Sequence, residues 1–483
     1  MNTEIRNLEP NALWNNFADL NAVPRASKKE EKVRQFMVDF GKNLNLETTV
    51  DPIGNVIIKK PASVGMEDRK TVVLQSHLDM VCQKNNDTIF NFDTQGIEML
   101  IDDGWVKAKG TTLGADNGLG VAAIMSILEA STIKHPAIEA LFTIDEETGM
   151  TGAMGLEAGY LTGEILLNLD TEDDDEIGVG CAGGIDITAT KTYIPQTITG
   201  EGIAAYKITV SGLQGGHSGM DIHKDFGNAN KMMNRILFAL QNLCNINEID
   251  GGSLRNAIPR ESNAIITTTN TKDLEDKFYS IAKIIIDEYT SIENDIEITL
   301  EECITPEQIV PKNEQELLLK TLYTTHNGVF RMSPDIDNLV ETSNNVARVL
   351  VKDGKIKIAC LTRSAIESGK MNLANTITSG FELAGYKVDL SGSYPGWKPN
   401  PNSAILKVLD ATYQNIFNEK PNILACHAGL ECGILGTNYP EMDMISFGPT
   451  IKGAHSPDER ANIKSSQKFW KYLLKILEQI PVK

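Results

Sequence analysis

An α/β layer fold built on a mixed, mostly parallel sheet, interrupted by an α+β insert of two similar halves, is what the pattern of this chain predicts. Three observations carry the expectation. Helical and strand patterns alternate through the first third; after an acidic and Gly-rich stretch the pattern changes to strands followed by helices, twice over; and the first style returns near the C-terminus. The expected division is 1–182 and 395–483 for the catalytic domain and 183–394 for the insert. At 483 residues the chain exceeds the size at which a single core keeps growing, so two domains are the natural reading.

Taken in order, residues 29–44 have helical spacing, 55–58 and 71–76 are β-branched strand patterns, and a Gly-rich loop at 110–118 leads to a helix over 119–130. Strands are expected over 137–144 and 165–169. In open α/β sheets the loops beyond the carboxyl ends of strands build the site, and His77, Asp79, Glu146, Glu147 and Asp170 all fall at such ends. The insert reads as strands 184–193 and 204–210, a helix 228–243, a strand 264–269 and an amphipathic helix 274–292. Its second half runs strand, strand, helix (364–384), strand up to 390. Helices 403–417 and 465–480, with a strand 443–447 between, return to the first style, which brings His455 back to the first domain from far away in sequence.

The composition is that of a globular enzyme, 41% hydrophobic and 23% charged. Sixty-five acidic against forty-five basic residues leave a formal charge of -20, which disfavours nucleic acid and anionic membrane surfaces and favours small-molecule or peptide substrates. The N-terminus lacks a basic region followed by an apolar run, and no apolar run approaches a bilayer span, so neither a secretory signal nor a membrane segment is expected. Seven cysteines without a CxxC pair fit a reducing cytoplasm. The stretch 178–183 fits GxGxxG, but no helix pattern follows and five acids precede it, so a pyrophosphate would meet repulsion. There is no GxSxG elbow and no HExxH helix.

His77 and Asp79 are two apart on an extended segment and share a face. Alone, each candidate would more often be a satisfied polar group than a ligand; together they read as a two-metal hydrolase. Zinc and hard divalent ions accept imidazole nitrogen and carboxylate oxygen, and two ions about 3.5–4 Å apart need a bridging group. Asp116, in a Gly-rich loop, is the expected bridge; His77 and Asp170 are assigned to one ion, Glu147 and His455 to the other. Asp79 is expected to accept the remaining N–H of His77 and so fix its tautomer. Of the adjacent pair Glu146-Glu147, one ligates and the other moves protons, which makes Glu146 the expected general base. Cys426 and Cys432 match no structural zinc spacing.

His77-Leu78-Asp79, Gly114-Ala115-Asp116-Asn117-Gly118, Glu146-Glu147, Asn168-Leu169-Asp170, Gly215-Gly216-His217-Ser218-Gly219, Asn256-Ala257-Ile258-Pro259 and Gly453-Ala454-His455-Ser456-Pro457 together resemble the M20 family of di-zinc exopeptidases, especially its cytosolic dipeptidase branch. The resemblance covers nearly the whole chain. It implies a catalytic domain interrupted by a lid, and two zinc ions per chain, with cobalt or manganese as substitutes, activating water against the peptide bond of an unblocked dipeptide such as Xaa-His. It further implies that His217 reaches the scissile carbonyl, that Asn256 contacts substrate and that Arg363 binds the terminal carboxylate bidentately. Glu431, in a segment typical of the dipeptidase branch, is a candidate partner for the α-amino group. Ligand types leave the metal open, and action of His217 within one chain or across a homodimer stays open too. The alternatives are an aminoacylase, deacetylase or aminotripeptidase on the same scaffold or, from another class, a non-catalytic metal- or peptide-binding protein, for which a proton shuttle at Glu146 has no use.

Overall fold

The computed structural model describes every residue except Met1, Asp335, Asp337 and Pro401. The chain forms two compact units, the first comprising Met1–Gly180, Pro399–Ala425 and Glu431–Lys483, the second Cys181–Lys398 with the short return Cys426–Leu430.

In the first unit the strands Val72–His77, Ile138–Thr143, Ile165–Asn168 and Asp443–Ser446 pair in parallel at the centre of an eight-stranded sheet. Helix-covered parallel strands are buried on both faces and read as near-continuous apolar runs, and the residues of Val72–His77, Ile138–Thr143 and Ile165–Asn168 are all buried. Glu47–Val50 and Val56–Lys60 extend one side antiparallel, and Glu176–Cys181 turns antiparallel on the other. The GxGxxG stretch therefore begins inside a strand, without the helix a phosphate would need.

Register places the carboxyl ends side by side, with His77 opposite Thr143 and Gln75 opposite Asn168. Helix Ala115–Glu129 follows the Gly-rich loop, with Asp116 and Asn117 in non-helical conformations at its start. A small four-stranded sheet absent from the expectation joins Met99–Asp102 and Trp105–Ala108 to the hairpin Ile451–Lys452 and Arg460–Asn462, whose loop carries His455. The last helix, Ile463–Glu478, starts directly after that hairpin, capped by the Asn462 side chain on the Ser465 N–H.

The second unit is a nine-stranded antiparallel sheet. One half runs strand Ala204–Ser211, helix Ala229–Leu240, strands Asn245–Gly251 and Ser262–Thr268, helix Thr271–Tyr289, strand Glu297–Glu302. The other repeats that order with Gly183–Thr192, Lys312–Thr324, Val340–Lys352, Lys355–Ser364, Glu367–Leu383 and Lys387–Tyr394, the first half being inserted after its first strand. The halves join where Asn245–Gly251 pairs with Val340–Lys352. All four helices contribute to one apolar core through residues such as Ile236, Phe278, Leu318 and Phe381. Among the described residues no helix is long and apolar enough to cross a membrane.

Candidate active site

The carboxyl ends of the central strands in the first unit converge on overlapping groups of side chains that could hold a metal ion, among them His77 with Asp116 and Asp170, Asp116 with Glu147 and His455, and His77 with Glu146 and Glu147. Asp116 belongs to the first two. Its Oδ1 lies 3.2 Å from His77 Nε2 and its Oδ2 lies 3.2 Å from His455 Nε2. Asp170 Oδ1 is 3.5 Å from the same His77 nitrogen, and Glu147 Oε2 is 2.9 Å from the same His455 nitrogen. Each imidazole thus turns one nitrogen towards two carboxylates, the arrangement of donors around a shared cation. The buried Oε1 of Glu147 has no protein partner among the described residues, a further acceptor that a cation would satisfy. The donor set therefore fits two divalent ions with Asp116 between them.

Electrostatics follow from crowding. Burial, opposed by His77 and reinforced by neighbouring carboxylates, pushes Asp170 up to about 6. Hydrogen bonds that His455 donates to the Asp116 and Glu147 carboxylates raise its pKa to about 11. Burial also works against the charge of Asp116, yet the two histidines hold its carboxyl below the ordinary range.

Asp79 does more than face His77. Its Oδ1 is 3.4 Å from His77 Nδ1, but it also accepts the Glu146 N–H at 3.0 Å, while Oδ2 accepts the Glu147 N–H at 3.2 Å and the Ser27 hydroxyl at 2.7 Å. One buried carboxylate thereby fixes the helical turn Glu146–Gly149 against the end of Val72–His77. Glu146 sits where burial, then Asp170, Glu431 and Glu147, push its pKa well above the carboxylate norm, with His77 opposing. That is the environment of a carboxylate that takes and returns protons.

Beneath these candidate ligands runs a buried polar ladder. Glu431 Oε2 accepts from Gln75 Nε2 at 2.6 Å and from Thr143 Oγ1 at 2.7 Å. Gln75 Oε1 accepts from Asn168 Nδ2 at 2.5 Å, and Asn168 Oδ1 accepts from the Ser446 hydroxyl at 2.5 Å. Gln75 and Asn168 stand two residues before His77 and Asp170, so the ladder locks the strand ends that carry these two side chains. Glu431 is fully buried and not an open surface carboxylate; among the described residues its Oε1 has no protein partner, and burial raises its pKa to about 7.

The second unit carries a separate group. His217 lies in a two-residue strand pair opposite Ala257, which sets it beside the turn bearing Asn256, and the Ser218 N–H bonds the Asn256 carbonyl at 2.8 Å. His217 Nδ1 accepts the N–H groups of Gly219 (3.2 Å) and Met220 (3.1 Å), which leaves Nε2 carrying the proton as a donor. Burial and the Arg363 cation lower its pKa and keep the ring neutral. Arg363 is buried at the end of Lys355–Ser364 and donates from Nη1 to the Tyr394 hydroxyl at 2.8 Å. His427 bonds the Ser343 hydroxyl at 2.8 Å, and burial pushes it down to about 3.

Sequence reasoning missed the ladder, Arg25 and Glu459. The ladder's one sequence signal is polar residues, Gln75 and Asn168, inside otherwise apolar strands two places before predicted ligands.

A family model described as peptidase family M20/M25/M40 matches residues 73–479. The cytosol non-specific dipeptidase of Escherichia coli (strain K12) is 42% identical over 485 residues, covering 100% of both chains. The crystal structure of aminoacylhistidine dipeptidase from Vibrio alginolyticus superposes with a TM-score of 0.94 at 46% identity, covering 100% of this chain and 99% of that one. A tripeptidase from Staphylococcus aureus shares the fold, with a TM-score of 0.57 at 16% identity over 98% of this chain and 99% of that one.

Proposed function

Because this chain belongs to peptidase family M20/M25/M40, we propose that it is a cytoplasmic metallo-dipeptidase that hydrolyses unblocked dipeptides, Xaa-His among them, with two zinc ions held by His77, Asp116, Glu147, Asp170 and His455. The observation that carries the reading is Asp116, whose two oxygens face two different imidazoles, each of which faces a second carboxylate. Bound there, a pair of divalent ions supplies Lewis-acid polarisation of the carbonyl and acidifies water.

The remaining work belongs to the chain. Glu146 accepts the proton of the attacking water and delivers it to the amine nitrogen as the C–N bond breaks; its raised pKa suits both directions. Asp79 positions that carboxylate through the two backbone N–H groups it holds. His217, with Nε2 as its donor, is assigned to the developing oxyanion. Asn256 and Arg363 are assigned to the substrate, the guanidinium to its terminal carboxylate. Glu431 Oε1, a buried acceptor without a partner, is assigned to the α-ammonium group. The second unit, 181–398, is read as the lid.

A panel of dipeptides, their N-acetyl forms and tripeptides, assayed with and without added metal, tests the reading. Metal-dependent turnover of the free dipeptides alone supports it; preference for N-acetyl substrates would replace it with an aminoacylase, and preference for tripeptides with an aminotripeptidase.

A further inference from the structure

Glu459 stands four residues beyond His455, at the foot of the hairpin loop that carries this histidine, and is buried. Its carboxylate accepts four consecutive backbone N–H groups: Oε2 those of Leu113 (2.7 Å) and Gly114 (2.9 Å), Oε1 those of Ala115 (2.7 Å) and Asp116 (3.3 Å). From the opposite side the buried guanidinium of Arg25 donates to the carbonyls of Leu78 (3.1 Å), Asp79 (3.0 Å) and Gly114 and to Asn21 Oδ1 (3.1 Å). The loop that ends on Asp116 is thus gripped through its N–H groups by an anion and through a carbonyl by a cation.

We propose that Glu459 is the positioning residue of the bridging ligand Asp116, setting the loop so that one carboxylate oxygen faces His77 and the other His455. The inference rests on the two-ion reading above. Two features separate it from an ordinary buried carboxylate. The row of N–H groups it collects ends on the ligand itself, and the hairpin it anchors carries the ligand His455, so one side chain sets the spacing of two donors to the same ion. Charge-assisted bonds to backbone N–H are short and directional, and among the described residues no other carboxylate accepts from these four groups.

Glu459→Gln tests this. An amide has one acceptor oxygen, so its NH2 faces two N–H donors and that half of the grip is lost. Glu139 supplies the matched control. It is also buried and accepts the N–H groups of Thr162 (2.8 Å) and Gly163 (3.0 Å), but from the amino end of the central sheet, with no link to a ligand. The full-length wild type, Glu459→Gln and Glu139→Gln are stripped of metal and titrated with Zn²⁺ against a competing chelator and with Co²⁺ followed by its visible absorption. Thermal unfolding of each metal-free chain runs alongside.

The wild type and Glu139→Gln should take up two ions with the same Co²⁺ spectrum. Glu459→Gln should bind at least one ion ~10- to 100-fold more weakly, with an altered spectrum, at a metal-free unfolding temperature matching that of Glu139→Gln. Should Glu459→Gln not fold, Glu459→Asp, which keeps the charge but withdraws it by one methylene, carries the same comparison. Two ions bound at wild-type affinity and spectrum by the Glu459 variant, or an equal loss in Glu139→Gln, would overturn the inference alone. Fewer than two ions in the wild type would overturn the two-ion reading and the inference with it.

Discussion

Replacing Asp79 by asparagine should cost the chain far more activity than metal. The carboxylate is assigned to neither ion; it faces His77 Nδ1 at 3.4 Å and accepts from Glu146 N, Glu147 N and Ser27 Oγ. An amide must turn its NH2 to one side. The Ser27 hydroxyl can rotate to accept, so the NH2 takes the Oδ2 side and leaves the Glu147 N–H facing a donor. A buried N–H without a partner costs about 1–3 kcal/mol, and loss of charge assistance on the remaining bonds adds ~1 kcal/mol. The metal-free chain should therefore lose about 2–4 kcal/mol in urea unfolding unless the turn Glu146–Gly149 shifts to recover its bonds. If it shifts, Glu146 moves with it, and misplacement of a catalytic group by ~1 Å costs about 100-fold. The expected result is a roughly 30- to 100-fold fall in kcat/KM on an unblocked dipeptide, with two ions per chain retained after gel filtration in metal-free buffer. A kcat/KM within about 3-fold of wild type would refute the positioning argument, and parallel loss of metal and activity would move Asp79 into the ligand set.

Other perturbations separate the remaining roles. Burial raises the folded pKa of Glu431 to about 7, above its unfolded value, so its protonated form contributes stability in full below about pH 4 and that contribution is lost as pH rises through 7. Metal-free Glu431→Gln, which cannot ionise, should flatten the pH dependence of unfolding between about pH 5 and 8 and gain ~3 kcal/mol on wild type at the upper end; an unchanged slope would place the buried charge elsewhere. The same variant should lose kcat/KM on a free dipeptide and not on its N-acetyl form, and equal losses on both would remove it from the amino site. His217→Ala should lower kcat ~10²- to 10³-fold with metal content untouched; a change confined to KM would make it a binding residue. Asn168→Leu removes the centre of the ladder and leaves Gln75 Oε1 without its partner, while the Ser446 hydroxyl keeps Thr171, costing about 1–3 kcal/mol in the metal-free chain by chemical denaturation; a neutral result would show that the ladder is not coupled to stability.

The central strands were legible because parallel strands buried on both faces leave no polar alternation to confuse: Ile138–Thr143 lies inside the expected 137–144, and Val72–His77 overlaps the expected 71–76 and runs one residue further. Amphipathic helices were similarly open to reading, 274–292 corresponding to Thr271–Tyr289 and 465–480 to Ile463–Glu478. The sheet that joins Trp105–Ala108 to Arg460–Asn462 was not, since its strands are two to four residues long and partly exposed and their pairing spans hundreds of residues. The helix expected from Leu119 begins at Ala115 with Asp116 and Asn117 out of helical conformation.

In the site, side chains that announce themselves by type, such as His77 or the pair Glu146-Glu147, could be read locally. Glu459 and Arg25 could not, because all of Glu459's partners and all but Asn21 of Arg25's are backbone N–H and C=O groups that no residue type reveals. Glu431 was read as a residue for ligand alone, whereas its hydrogen bonds run to Gln75 and Thr143, contacts that only the strand register creates.

The central claim, a two-ion dipeptidase with Glu146 as its proton shuttle, is tested most directly by metal reconstitution of the stripped chain with an unblocked dipeptide as substrate. Activity should be absent without metal and should rise with added Zn²⁺ to a plateau at two ions per chain. Glu146→Ala should bind the same two ions with turnover ~10²- to 10⁴-fold lower. Turnover by the stripped chain, a plateau at one ion, or undiminished turnover in Glu146→Ala would contradict the account.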